Sequence, residues 1–192
     1  VFVQGIDANG AVVGTPNDVS MTAASGSYHL TALSGGGYAL SGLYQNGSTQ
    51  SSSVVLFDAG HTAVYSTNFG TADTQRTSIT NLDDGGYVMV HNTQTGVFFS
   101  RFDASGQMSV VSSQLRSSTD IYDASVVDLN NANGDYLVCW VESAGSLRKV
   151  FAQRVDGITN MATGALAENQ GEATSSGIHN FNAVPLTGGG YV

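Results

Sequence analysis

Two short phrases alternate along the chain, and a fold that houses one copy must house them all. The first reads Leu33-Ser-Gly-Gly-Gly-Tyr38-Ala-Leu, Leu82-Asp-Asp-Gly-Gly-Tyr87-Val-Met-Val, Leu129-Asn-Asn-Ala-Asn-Gly-Asp-Tyr136-Leu-Val and Leu186-Thr-Gly-Gly-Gly-Tyr191-Val, with tyrosines 49, 49 and 55 residues apart. The second reads Val1-Phe-Val-Gln-Gly-Ile-Asp7-Ala-Asn-Gly10, Val97-Phe-Phe-Ser-Arg-Phe-Asp103-Ala-Ser-Gly106 and Val150-Phe-Ala-Gln-Arg-Val-Asp156-Gly157, with a shortened Val54-Val-Leu-Phe-Asp58-Ala-Gly60. A period of this length marks a stack of like units, each unable to bury its apolar face alone. Four units of about 48 residues account for the 192-residue chain, roughly 1–42, 43–92, 93–142 and 143–192, as one repeat array.

Each unit reads as four strands. A stretch such as Ser78-Ile-Thr-Asn-Leu82 leads into the Gly-rich turn, and Tyr87-Val-Met-Val90 leaves it. Glycine supplies the positive φ that a tight hairpin needs. The Val-Phe phrase forms a third strand, and the Asp-Ala-x-Gly turn leads to a fourth such as Met108-Ser-Val-Val-Ser. Aspartate suits that turn because its carboxylate accepts from backbone N–H groups two residues on. Gly, Ser, Thr and Asn are too dense throughout for helix interiors.

The second strand decides among all-β folds. Tyr136-Leu-Val-Cys-Trp140-Val is apolar on consecutive residues, so both of its faces require burial. Sheets stacked face to face meet that demand, and a radial array of four-stranded antiparallel blades has the matching period. A parallel β-helix would repeat faster, and an immunoglobulin-like sandwich would not repeat its phrases. The expected fold is therefore an all-β β-propeller. The chain opens on a third and fourth strand and closes on a first and second, which fits a closed four-bladed ring. An arc of a larger propeller, cut from a longer chain, is the preferred expectation, because the last strand stops at Val192 where its equivalents run on.

Composition narrows the partners. Six Lys and Arg against fifteen Asp and Glu give a net charge of −9, which disfavours nucleic-acid phosphates and anionic lipid. The single cysteine, Cys139, sits between Val138 and Trp140 and reads as a buried thiol. No apolar run approaches the roughly 18 residues of a spanning helix, so no direct membrane insertion is expected of this segment.

The Leu-x-x-Gly-Gly-Tyr-Val phrases, coupled to Phe-x-x-Arg-Phe-Asp-Ala-x-Gly at 98–106 and less closely at 151–157, resemble the propeller-type repeats of large bacterial secreted or surface proteins. Among those are adhesins and proteins that also carry hemolysin-type calcium repeats. The resemblance implies an extracellular or cell-surface scaffold with binding or adhesive roles. The Gly-Gly-x-Gly-x-Asp nonapeptides of the calcium repeats do not occur in this chain.

Candidate sites each have a plainer reading. Asp7, Asp58, Asp103 and Asp156 could be cation ligands, but each turn offers one carboxylate where calcium takes about 6–8 oxygens. The run from Asp128 to Asp135 is the richest in oxygens, yet lacks the glutamate of an EF-hand register and reads as a longer Gly-Gly hairpin. The segment Phe57-Asp58-Ala-Gly60-His-Thr62 partly resembles the Asp-box turn of sialidases, with Leu56 and Ala63 replacing its serine and tryptophan. Arg101 and Arg154 occupy equivalent repeat positions, read as a repeated surface feature rather than a convergent pocket. His29, His61, His91 and His179 show no metal-ligand spacing. Trp140 and Tyr136 could stack a sugar, but packing between blades is the favoured role. With 12 Asp and 3 Glu scattered mainly at turns, no glycosidase pair stands out.

No catalytic, cofactor or metal residue is therefore assigned. The expected function is a non-enzymatic structural or adhesive module whose partners are other repeats of the same protein, glycans or surface proteins. A carbohydrate-binding propeller is the alternative, and an arc of a propeller glycoside hydrolase comes third.

Overall fold

The computed structural model describes residues 2–6, 9–18, 28–46, 49–69, 74–144, 147–169, 183–186 and 190–191. Every regular element in it is a strand. Three four-stranded sheets carry the bulk of the chain: β3 (His29–Ala32) to β6 (Ala63–Phe69), β7 (Arg76–Asn81) to β10 (Met108–Ser117), and β11 (Ile121–Asp128) to β14 (Ala162–Asn169). Between those limits lie β4 (Tyr38–Asn46), β5 (Thr49–Phe57), β8 (Tyr87–Thr93), β9 (Gly96–Phe102), β12 (Tyr136–Ala144) and β13 (Leu147–Val155). Strand order within each sheet follows the chain, and all pairings are antiparallel. Two hairpins stand apart as two-stranded sheets, β1 (Phe2–Ile6) with β2 (Val12–Asp18) and β15 (Pro185–Leu186) with β16 (Gly190–Tyr191). The sheets rather than equal quarters of the chain are the structural units, since divisions after 42, 92 and 142 fall inside β4, β8 and β12.

The turns show why the phrases recur. In the first-to-second-strand turns, the Leu33 and Leu82 N–H groups donate to Gly37 O and Gly86 O, both at 2.8 Å. Gly36, Gly85 and Gly134 take the left-handed backbone there, with φ of 84°, 85° and 65°. The second glycine has a different reason to be small: a Cβ on Gly86 would come within 2.5 Å of Phe102 O. In the third-to-fourth-strand turns the aspartate carboxylate organises the backbone. Asp103 Oδ1 accepts from the N–H groups of Ser105 and Gln107, both at 2.9 Å, and Asp156 Oδ1 accepts from Thr159 N at 2.7 Å. The left-handed residue of these turns is Gly106, but His61 (φ 63°) and Asn160 (φ 57°) in the other two, so Gly60 falls one residue short of that position.

Second strands are buried on both sides, as consecutive apolar residues require. Tyr87 and Met89 pack with Ala39, Val54, Leu56 and Phe102 on one side of the middle sheet. Val88 and Val90 pack with Tyr136, Val138, Trp140 and Phe151 on the other. Each fully buried aliphatic side chain contributes about 1.5–3 kcal/mol. First strands meet edge-on to this packing: Asn81 N donates to Thr31 Oγ1 at 3.2 Å and Val126 N to Ser78 Oγ at 3.3 Å, linking β7 to β3 and to β11.

Second-to-third pairings run in unbroken register, for example Tyr87↔Phe102 through Thr93↔Gly96. Every fourth-strand pairing is interrupted, and β10 against β9 shifts at three places, with Ser112 at φ 41°. The irregularities are thus confined mostly to the outermost strands, where bulges kink an otherwise open hydrogen-bonding edge.

Candidate functional site

The richest concentration of polar chemistry lies where the turns of neighbouring sheets meet. Arg101, near the end of β9, is only 5% exposed. Its guanidinium pairs with Asp84 in the turn of its own sheet and reaches the next sheet, donating to Gly157 O and, at 3.2 Å, to Asn160 Oδ1. This corrects the expectation of a surface arginine. The repeat position is shared with Arg154, but the surroundings are not. Arg154 pairs with Asp135 of its own sheet while its side chain stays 53% exposed.

The same position forms a series along the stack. Counted back from the aspartate of each turn, it holds Gly5, Leu56, Arg101 and Arg154. Each of the first three faces the left-handed residue in the corresponding turn of the following sheet. A Cβ on Gly5 would lie 2.9 Å from His61 Cε1, and a Cβ on Gly106 would lie 2.7 Å from Leu56 Cδ1. Arg101 instead bonds Asn160. One interface is small against large, the next large against small, and the third polar against polar.

The 131–135 segment departs from Gly-Gly together with its companion turn. Asp135 stands where Gly37 and Gly86 stand in the other sheets, and its carboxylate accepts from Gly157 N at 2.7 Å and from Asn131 Nδ2 at 3.1 Å, besides Arg154. Gly157 is small because Asn133 O and Gly134 O crowd it. Burial pushes the Asp135 carboxyl upward, but the Arg154, Gly157 and Asn131 bonds outweigh it and hold the group below its ordinary value. Asp128 behaves oppositely: burial and then the nearby Asp83 raise it to about 6. One of its carboxylate oxygens is buried with no hydrogen-bond partner among the described residues.

The turn aspartates act as backbone acceptors. Asp103 is held below its usual range first by the Ser105 hydroxyl and then by the Gln107 N–H. Asp156 is lowered chiefly by Thr159, and Asp58 Oδ1 accepts from Thr62 N at 2.8 Å. Asp7 lies outside the described residues. Among the described residues no three His, Cys, Asp or Glu side chains assemble as a metal site.

Trp140 is 1% exposed and lies between the second and third complete sheets. Its ring stacks on Phe151 at 5.8 Å, and its indole N–H donates to Glu142 Oε2 at 3.2 Å. Glu142 is in turn held by Arg116 of the neighbouring sheet through two 3.0 Å bonds. Tyr136 is equally buried, so neither ring presents a face to a sugar. The Arg116–Glu142 bridge escaped sequence reasoning because neither residue belongs to a recurring phrase.

The histidines are separated in space and role. His91 is buried in β8, stacked on Phe98 at 5.4 Å, and desolvation lowers it to about 4. His29 is also lowered, mainly by burial. His61 fills the space beside Gly5 and lies 5.6 Å from the Tyr38 ring. His179 lies outside the described residues. Burial pushes the Cys139 thiol up to about 12.

No family model and no curated protein matches this chain.

Proposed function

We propose that this chain is an arc of β-propeller-type repeats serving as a non-enzymatic structural or adhesive scaffold of a large extracellular or cell-surface protein. One observation carries the reading: among the described residues, the best-connected charged side chains bridge neighbouring sheets or brace turns. Arg101 is committed to Asp84, Gly157 and Asn160, and Glu142 to Arg116 and Trp140. The turn aspartates are committed to backbone N–H groups. Such an arrangement supplies rigidity and a fixed spacing between units.

The test pairs a glycan array with a panel of chromogenic glycosides, using the whole chain. The expected result is no saturable saccharide binding and no turnover, alongside binding to or co-assembly with repeat segments of the same type. Saturable binding of one glycan would replace this reading with a lectin, and turnover would replace it with a hydrolase.

A further inference from the structure

We propose that the interface between the first two complete sheets holds a binding site for ordered water, formed by Ser41, Thr77 and His91. The site goes beyond the functional reading and does not rest on it, since it requires only that one sheet pack on the next.

Strand alternation brings the three residues to one interface. Ala39 of the first complete sheet packs with Ile79 and Met89 of the second. Two residues further from the Gly-rich turn, on the same sides of their strands, stand Ser41, Thr77 and His91. Thr77 and His91 are register partners in β7 and β8, and Ser41 lies on β4 of the facing sheet.

All three are sealed from solvent, at no more than 1% exposure. Ser41 Oγ, Thr77 Oγ1 and His91 Nδ1 nevertheless have no hydrogen-bond partner among the described residues. Nearby hydroxyls find partners within their own sheet: Ser52 donates to Phe69 O at 3.2 Å, and Thr93 bonds Thr95 at 2.9 Å. Buried polar groups are paired as a rule, with protein or with ordered water. A buried water makes about three hydrogen bonds to groups of this kind. Two hydroxyls and a neutral imidazole suit it, because each hydroxyl donates or accepts and water can serve either ring tautomer. An ion would find no compensating charge on these three groups, which makes water the fitting occupant.

The next interface shows the dry alternative at the equivalent positions. There Val90 replaces Ser41, Ala124 replaces Thr77 and Trp140 replaces His91, and the three pack together in one apolar cluster. Trp140 and His91 each stack on the register partner in the third strand, Phe151 and Phe98. The indole N–H has an outlet in Glu142, whereas the equivalent residue beside His91 is Thr93, engaged with Thr95. All three positions are polar together in one interface and apolar together in the other. The polar trio also has three fewer non-hydrogen side-chain atoms, so equally spaced sheets leave room for the guest.

Copying the dry interface into the wet one tests the proposal on the whole chain. Water oxygen-17 relaxation dispersion should show a long-lived internal component that shrinks in the Ser41→Val, Thr77→Ala, His91→Trp triple variant. Thr77→Val alone, nearly isosteric, should lower the urea midpoint, because the bound water loses a partner. An unchanged dispersion amplitude in a folded triple variant would overturn the site, and would leave a direct Thr77–His91 bond as the alternative. A urea midpoint raised by Thr77→Val would equally overturn it, since removing a dry, unpaired hydroxyl stabilises. Circular dichroism establishes folding, and if the triple variant fails to fold, the dispersion of Thr77→Val decides in its place by the same criterion.

Discussion

Arg101 and Asn160 stand 59 residues apart in sequence, yet the guanidinium of one donates to the side-chain oxygen of the other at 3.2 Å across the gap between two sheets. With Asp84 and Gly157 O, they tie the second complete sheet to the third.

Removing this arginine should therefore loosen the interface. Arg101→Ala leaves Asp84 and a buried carbonyl without their donor, and a loss of about 2–4 kcal/mol is expected. Arg154→Ala should cost about 1 kcal/mol, because its side chain is half solvated and Asp135 keeps its bonds from Gly157 and Asn131. Urea unfolding of the two variants would measure the difference. Equal costs would show that the bridge between sheets adds nothing to stability.

The two glycines of one turn should respond differently to alanine. Gly85→Ala strains a left-handed backbone and should cost about 1–2 kcal/mol. Gly86→Ala should cost more, although its φ is ordinary, because the new Cβ would drive against the Phe102 carbonyl. Thermal melts of both variants suffice, and the reverse order would refute the close-approach argument.

Two buried groups give opposing pH dependences. The folded-state value of His91, about 4, lies below its ordinary 6.5. The unfolded chain therefore takes up the proton first, and stability falls as pH drops from about 6.5 to about 4. Asp128 is raised to about 6, so its protonated form is favoured by folding and it costs stability at neutral pH. Asp128→Asn should stabilise the chain by about 1–2 kcal/mol at pH 7, with the gain fading toward pH 4. His91→Gln should flatten the acid limb. Denaturation midpoints between pH 4 and pH 8 would reveal both slopes, and unchanged profiles would argue against either burial.

Cys139 should be silent toward thiol reagents while the chain is folded. It is buried beside Leu137 and Ala152, and its thiolate is strongly disfavoured. Labelling with a chromogenic disulfide is expected only at the rate of unfolding. Rapid stoichiometric labelling under native conditions would contradict the packing.

Sequence reasoning reached the parts of this fold that depend on local chemistry. The Gly-rich turns, the backbone-capping aspartates and the doubly buried run from Tyr136 to Val141 follow from residue type and spacing, and the sheets contain all of them. What it missed depends on neighbours far along the chain. Arg101 and Arg154 are alike in their phrases but differ because Asn160 and Gly157 lie opposite only the first. His61 was partly legible: counting three residues on from Asp58, as Gly106 is from Asp103, reaches His61 and passes over Gly60. The period points to four-stranded blades, and the described residues form three such sheets, with no closure of one sheet on another among them.

The broken register of the outermost strands governs how such modules behave when crowded. A straight peripheral strand would let neighbours zip together sideways into a widening sheet, the route by which repeat-rich β proteins clump. The three shifts along β10 and its left-handed Ser112 deny an incoming strand a continuous ladder. Such an outer edge is a poor template for a neighbour's strand, so modules held side by side resist merging sheet into sheet.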